Sequence, residues 1–187
     1  AWTSSSWKHP AFDDSRWLEG PAELGYGEND EATVLPFGPN PNNKWTTAYF
    51  RRRFVLAATN GLSTLTLRLK RDDGAIVYLN GREVARSSIR IGAIAPTTFA
   101  DSTSDDGQTF QEFTLAPTLL SNGENLLAVE VHQATTNSSD LSFDLELNAV
   151  RSNPNSGTNA PPALALARNA LIKSRVKDGA QWSALNE

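Results

Sequence analysis

Carboxylates are the residues of this chain best placed to do chemistry. Asp13-Asp14 and Asp72-Asp73 are adjacent pairs, and Gly27-Glu28-Asn29-Asp30-Glu31 is a third acidic run. Calcium, a hard cation, takes about six to eight oxygen ligands, many of them carboxylates and backbone carbonyls. Irregular loops rich in Asp, Glu, Asn and Gly offer such oxygens. Asp13, Asp14, Glu28 and Asp30 are therefore candidate calcium ligands, with Glu146 or Asp144 as a further ligand from a strand. The spacing does not match an EF-hand loop. Asp13 or Asp14 has a second reading, as the cap of a turn that leads into Ser15-Arg16-Trp17. Paired carboxylates roughly 5–10 Å apart would suit glycoside hydrolysis, but 21 acidic residues single out no specific pair.

Nucleophile machinery is thin. The chain has two histidines and no cysteine, and neither a G-x-S-x-G elbow nor an H-E-x-x-H helix occurs. His132 closes an apolar run and is followed by Gln133. It is either a satisfied histidine at a sheet rim or a donor to a ligand held by the loops. Trp45 follows the wet stretch Asn40-Pro41-Asn42-Asn43-Lys44. An exposed Trp there would offer its flat face to the C–H side of a sugar ring, roughly 40–80 Å² at ~25 cal/mol per Å², or about 1–2 kcal/mol. The alternative folds Trp45 over the end of the domain. Among Arg51, Arg52 and Arg53, one must face opposite to the other two. Trp45, Arg52, Asp72, Asp73, His132, Gln133 and Asp140 form the candidate ligand-binding set.

These residues need a scaffold, and the pattern around them is β. In "RDDGAIVYLNGREVARS" (residues 71–87) a β-branched and aromatic run ends in Asn80-Gly81. That pair favours a type I′ hairpin, which requires positive φ at both central residues. Asp72-Asp73-Gly74 reads as a solvated acidic turn before the run. Residues 63–71 alternate, with Leu65, Leu67 and Leu69 on one face, as expected of a half-buried strand. Residues 141–150 alternate likewise, with Leu141, Phe143, Leu145 and Leu147 inward and Ser142, Asp144 and Glu146 outward. The mixed parity of residues 45–56 predicts a bulge or a strand covered on both faces. Further strands are expected at residues 109–116 and 126–133. Many short strands between turns predict an all-β sandwich.

Residues 1–150 are expected to form the sandwich, 151–162 a linker, and 163–187 a C-terminal extension. The extension reads either as a helix, from its Ala and Leu content, or as a hairpin around Asp178-Gly179. The hairpin is the preferred reading. Residues 10–43 form a long loop region, and long loops are often functional.

Composition narrows the class. The chain has 187 residues, 39% hydrophobic and 20% charged, with a net charge of −4. A nucleic-acid surface normally carries a basic excess, so nucleic acid is disfavoured. No apolar run approaches the roughly 18 residues needed to span a bilayer. The absence of Met predicts that the chain is a piece of a longer precursor.

The motifs FDDSRWLEG, LGYG, YFRRRFVL, LTLRLKRDDGAIVYLNGREVARS, LLSNGENLLAVEVHQ and SSDLSFDLEL together resemble the galactose-binding-like jelly-roll domains of large secreted bacterial proteins. They are also similar to the sugar-binding jelly roll of glycoside hydrolase family two. The resemblance covers about residues 7–150. It implies a non-catalytic carbohydrate-binding module of a secreted, multidomain, extracellular or cell-surface protein. Its partners would be a polysaccharide or glycan and neighbouring domains. It also implies a structural calcium where the first and last strands meet. One fold hosts many functions, so a structural spacer or protein-interaction module is the alternative, and a polysaccharide lyase or hydrolase domain a second.

Overall fold

The computed structural model describes residues 6–101 and 105–152, with short stretches at 174–175, 177–178 and 181–182. Two five-stranded sheets make a β-sandwich. The first holds β1 (Leu24–Tyr26), β2 (Thr33–Val34), β4 (Leu62–Asp72), β7 (Gln111–Leu115) and β9 (Leu141–Arg151), in the order β2-β1-β9-β4-β7. The second holds β3 (Thr47–Leu56), β5 (Gly74–Leu79), β6 (Arg82–Ser87), β8 (Gly123–His132) and β10 (Ser174–Arg175), in the order β10-β3-β8-β5-β6. A separate pair, β11 (Lys177–Asp178) and β12 (Gln181–Trp182), is antiparallel, the pairing expected around Asp178-Gly179. Of the linker expected at residues 151–162, Arg151 belongs to β9, and residues 153–162, with the start of the C-terminal extension to residue 173, lie outside the described residues. Among the described residues no helix is long and apolar enough to cross a membrane.

The alternating strands behave as their periodicity dictates. Leu67 of β4 sits opposite Leu147 of β9, and Leu69 opposite Leu145. This row packs against Ala48, Phe50, Val77, Val129 and Val131 of the second sheet. Phe50 and Phe143 stack between the sheets with centroids 4.3 Å apart. The hairpin at Asn80-Gly81 forms as expected, with φ of 53° and 82° and Leu79 opposite Arg82.

The second sheet is buried on both faces. Tyr49, Ile76, Tyr78, Leu126 and Ala128 point away from the first sheet and are covered by Trp7 and Trp17 from residues 6–17. The Trp7 ring meets Tyr49 and Tyr78 edge-on at 4.8 and 5.8 Å. This explains the mixed parity of β3, whose ladder with β8 runs unbroken from Thr47↔His132 to Leu56↔Gly123. Coverage on both faces, not a bulge, is the cause. Arg51 and Arg53 stitch the N-terminal strap down. Arg51 Nε donates to Asp14 Oδ2 at 2.7 Å, and Arg51 Nη1 donates to Trp7 O and His9 O. Arg53 donates to Pro10 O at 2.8 Å and Phe12 O at 2.9 Å.

Two expectations are corrected. Asp72-Asp73 is not a solvated turn. β4 and β5 lie in different sheets, so the pair crosses between layers, and the two residues are only 4% and 8% exposed. Ser142 is buried, not outward, because β9 is covered near its start, where the Ser142 hydroxyl donates to Glu23.

If the strap is structural, Trp7→Ala leaves Tyr49 and Tyr78 uncovered. Urea unfolding should then show a loss of roughly 3–5 kcal/mol, the usual cost of truncating a buried aromatic. An unchanged midpoint would mean the strap adds nothing.

Candidate functional site

One end of the sandwich gathers the chemistry. β1, β4 and β8 finish there, and β3, β5, β7 and β9 start there, so the loop residues 27–31, 35–46, 88–101, 105–110 and 133–140 meet. Gly27, at φ 113°, allows the closest approach: a Cβ built on it would lie 2.6 Å from Asp140 Cβ. Glu31 shapes the first of these loops by accepting the Glu28 and Asn29 amides at 3.0 and 3.1 Å.

An acidic cluster results. One carboxylate oxygen from each of Glu28, Asp106 and Asp140 lies within 4.8 Å of the others, and Glu28 forms a second such group with Glu23 and Asp30. Burial, and then repulsion from Asp30, Asp140, Glu23 and Asp106, pushes the Glu28 carboxyl above the usual carboxylate range. Gln108 Nε2 donates to Glu28 Oε1 at 2.9 Å. Glu28 Oε2 is buried and has no hydrogen-bond partner among the described residues. An orphaned carboxylate oxygen among converging carboxylates is costly unless a cation neutralises it. The donor set is all hard oxygen and fits calcium. Glu23 is already engaged by Lys70 and Ser142.

Of the five calcium ligands expected from sequence, the fold brings Glu28 and Asp30 into this cluster. Asp13 instead caps its turn, accepting the Ser15 amide at 3.0 Å; its bonds to Ser15 hold its carboxyl below the usual range. Asp14 pairs with Arg51 at 2.7 Å and Glu146 with Arg68 at 2.7 Å, each away from the cluster. Asp106 and Glu23 were missed. Asp105-Asp106-Gly107 has the same turn chemistry as Asp72-Asp73-Gly74, but its place beside Glu28 follows from topology and has no local sequence signal.

The expected ligand-binding set also divides. Asp72, Asp73, His132, Gln133 and Asp140 do converge at this end, yet most of them face inward. His132 Nδ1 donates to Thr98 O at 2.7 Å and lies 3.0 Å from Thr47 Oγ1. The carbonyl partner fixes a proton on Nδ1. Its Nε2 lies 3.3 Å from Glu130 Oε2. Gln133 Nε2 donates to Tyr26 OH and to Asp140 O. Asp73 Oδ2 accepts the Ala134 amide at 2.6 Å, and burial pushes its carboxyl upward. Trp45 is half-buried on the core rather than a free platform; a Cβ on Gly38 would lie 3.1 Å from its ring. Arg52 is five residues along β3 from the loop end, roughly 17 Å at ~3.3 Å per residue, so it does not join the set.

Beneath the strap lies a second polar group. Tyr78 OH donates to Glu130 Oε1 at 2.6 Å, Lys8 Nζ approaches the same oxygen at 3.4 Å, and Lys8 stands 3.9 Å over the Tyr78 ring. Burial alone would raise the Glu130 carboxyl. His132, Tyr78 and Lys8 outweigh it and hold the carboxyl below its ordinary range.

Fold and site define a β-sandwich domain with an acidic, loop-built end. No protein-family model matches the sequence, and no curated protein matches it. Among solved structures, it is similar to a Bacteroides uniformis β-glucuronidase at 20% identity and a TM-score of 0.45, over 81% of this chain and 16% of that one. It is similar to a Pleurotus ostreatus lectin in complex with GalNAc at 17% identity and 0.45, over 88% and 45%. It is also similar to an Aspergillus terreus α-L-rhamnosidase at 12% identity and 0.44, over 68% and 14%. The chain thus spans less than half the length of each.

Two of the buried carboxyls, Glu130 and Asp73, give opposite pH responses. Glu130 has a depressed folded pKa, so its stabilisation is complete above its unfolded value of 4.5 and is lost as pH falls through the lower folded value. Asp73 has a raised folded pKa, so its contribution improves as pH falls from neutral through that value toward 3.8. Urea melts across pH should show Glu130→Gln losing the acid-side decline and Asp73→Asn losing the mildly acidic gain.

Proposed function

We propose that the chain is a non-catalytic carbohydrate-binding module of a secreted, multidomain bacterial protein, with calcium and weak glycan binding at the loop end of the sandwich. The observation that carries this is the Glu28 cluster: carboxylates from three separate loops converge on a buried oxygen that lacks a partner. Glu28, Asp106 and Asp140 would hold the ion, with Asp30 at the rim. Calcium, when bound, supplies the positive charge that lets these loops stay together. A glycan would then meet loops already ordered, which lowers the entropy lost on binding. Solitary sugar-binding modules bind with about −4 to −8 kcal/mol, micromolar to millimolar, the range expected here. The extracellular location and neighbouring domains belong to the same proposal.

A structural spacer is the second reading. It is favoured by the inward engagement of His132, Gln133 and Asp73, which leaves fewer polar groups for a ligand.

Calcium binding to the folded state alone would add about 2.7 kcal/mol at a hundredfold excess over Kd. The melting temperature should therefore rise with calcium and fall with a chelator. Glu28→Gln should abolish the calcium-induced rise, while Asp13→Ala leaves it intact. A glycan array run with and without calcium tests the binding. Silence on every glycan would install the spacer reading.

A further inference from the structure

We infer that Phe99 is the sugar-stacking surface of the loop end, and that this surface takes a neutral sugar ring in preference to a uronate. The inference rests on the glycan reading above. Phe99 is 47% exposed and is the one exposed aromatic among the described residues. Trp45, to which the sequence pattern gave this role, is folded against the core.

The backbone on either side of Phe99 is pinned. Thr98 O accepts from buried His132, and Ala100 N donates to Gln133 O at 3.0 Å. Thr47 Oγ1 donates to Pro96 O at 2.7 Å, and Asp101 N donates to Ser88 O at 2.8 Å. Within the turn, Thr98 N donates to Ala95 O at 2.9 Å and Ala95 N donates to Thr98 Oγ1 at 3.0 Å. Thr98 and Ala100 are buried, so the residue between them is directed outward. An aromatic on a fixed backbone presents large apolar area with only two side-chain torsions to immobilise. His132 and Gln133, expected to touch a ligand, thus act one step back: they hold the segment that displays Phe99.

Charge narrows the ligand class. Asp101 is exposed two residues from Phe99. Asp73 binds the Ala134 amide, next to the residue that anchors Ala100. Acidic groups outnumber cations at this end: Arg71 Nη1 donates to both Asp105 oxygens at 2.9 and 3.1 Å, Lys44 donates to Ser138 O, and Arg90 is the exposed cation of the Phe99 loop. A sugar carboxylate would meet this acidic excess, whereas a neutral pyranose meets an apolar ring flanked by hydrogen-bond acceptors.

Affinity electrophoresis of the full chain, with calcium present, tests this on galactan, arabinan and polygalacturonate. Wild type should be retarded by a neutral polymer and not by polygalacturonate. Phe99→Ala should weaken that retardation about tenfold, the loss expected for one stacked sugar face, with an unchanged thermal melt. Phe99→Trp should retain it. Equal retardation of wild type and Phe99→Ala would overturn the stacking role and leave the glycan reading standing. Retardation by polygalacturonate as strong as by a neutral polymer would overturn the selectivity. No retardation by any of the three would overturn both this inference and the glycan reading on these polymers.

Discussion

The second sheet is covered on both faces along β5 and most of β3 and β8, and the rest of the architecture follows from that constraint. β3, β5 and β8 carry large apolar side chains on both sides. A sheet of that kind must be covered twice. The first sheet supplies one cover through the Phe50–Phe143 stack and the leucine rows. The strap supplies the other through Trp7 and Trp17. Apolar area alone would not fix the register of an irregular segment. Arg51 and Arg53 do so, because a guanidinium can satisfy several strap carbonyls at once in a rigid fork. Without them the carbonyls of Trp7, His9, Pro10 and Phe12 would lose these donors where the strap is packed down.

Double coverage also sets the character of the loop end. Because β8 is buried on both sides to its last residue, His132 and the following Gln133 have no route to solvent. The bonds they make go to Thr98 and Asp140 in the loops and to Tyr26 and Thr47 at the ends of β1 and β3, while His132 Nε2 and Gln133 Oε1 have no hydrogen-bond partner among the described residues. Residues that look like ligand-binding groups in the sequence become the fixtures on which the loops are hung. Groups left facing outward, such as Asp106 and Phe99, lie in the loops.

Much of this was legible in the residues, and the part that was not has a common cause. β4 and β9 could be read because a half-covered strand alternates, and the Asn80-Gly81 turn because its φ angles demand those residue types. β3 yielded only an ambiguity, since a strand covered on both faces has no parity to read. Asp72-Asp73-Gly74 has the local chemistry of a hairpin turn, and nothing nearby reveals that the next strand joins the other sheet. The same holds for the calcium set. Asp13, Asp14, Glu28 and Asp30 are equally acidic and equally loop-bound. What separates them is whether an arginine or a turn amide lies across from them in the fold: Arg51 claims Asp14, the Ser15 amide claims Asp13, and Glu28 faces other carboxylates.

That last contrast bears on what the loop end is for. A protein can neutralise a buried carboxylate with a cationic side chain, and this one does so repeatedly, at Asp14, Glu23, Asp105 and Glu130. Around Glu28 the fold places like charges instead, and they add to the cost of ionising it. Such an arrangement is unfavourable to folding on its own, and on the proposed reading a compensating charge comes from outside the chain. A small hard cation answers that need better than a lysine would, because it can approach several carboxylates together. It would also tie the Gly27–Glu31 loop to the Asp140 loop across their closest approach, next to the Asp140 carbonyl that Gln133 already holds. The same Gln133 anchors Ala100 through its own carbonyl. The acidic cluster and the segment that presents Phe99 therefore share one buried support, Gln133.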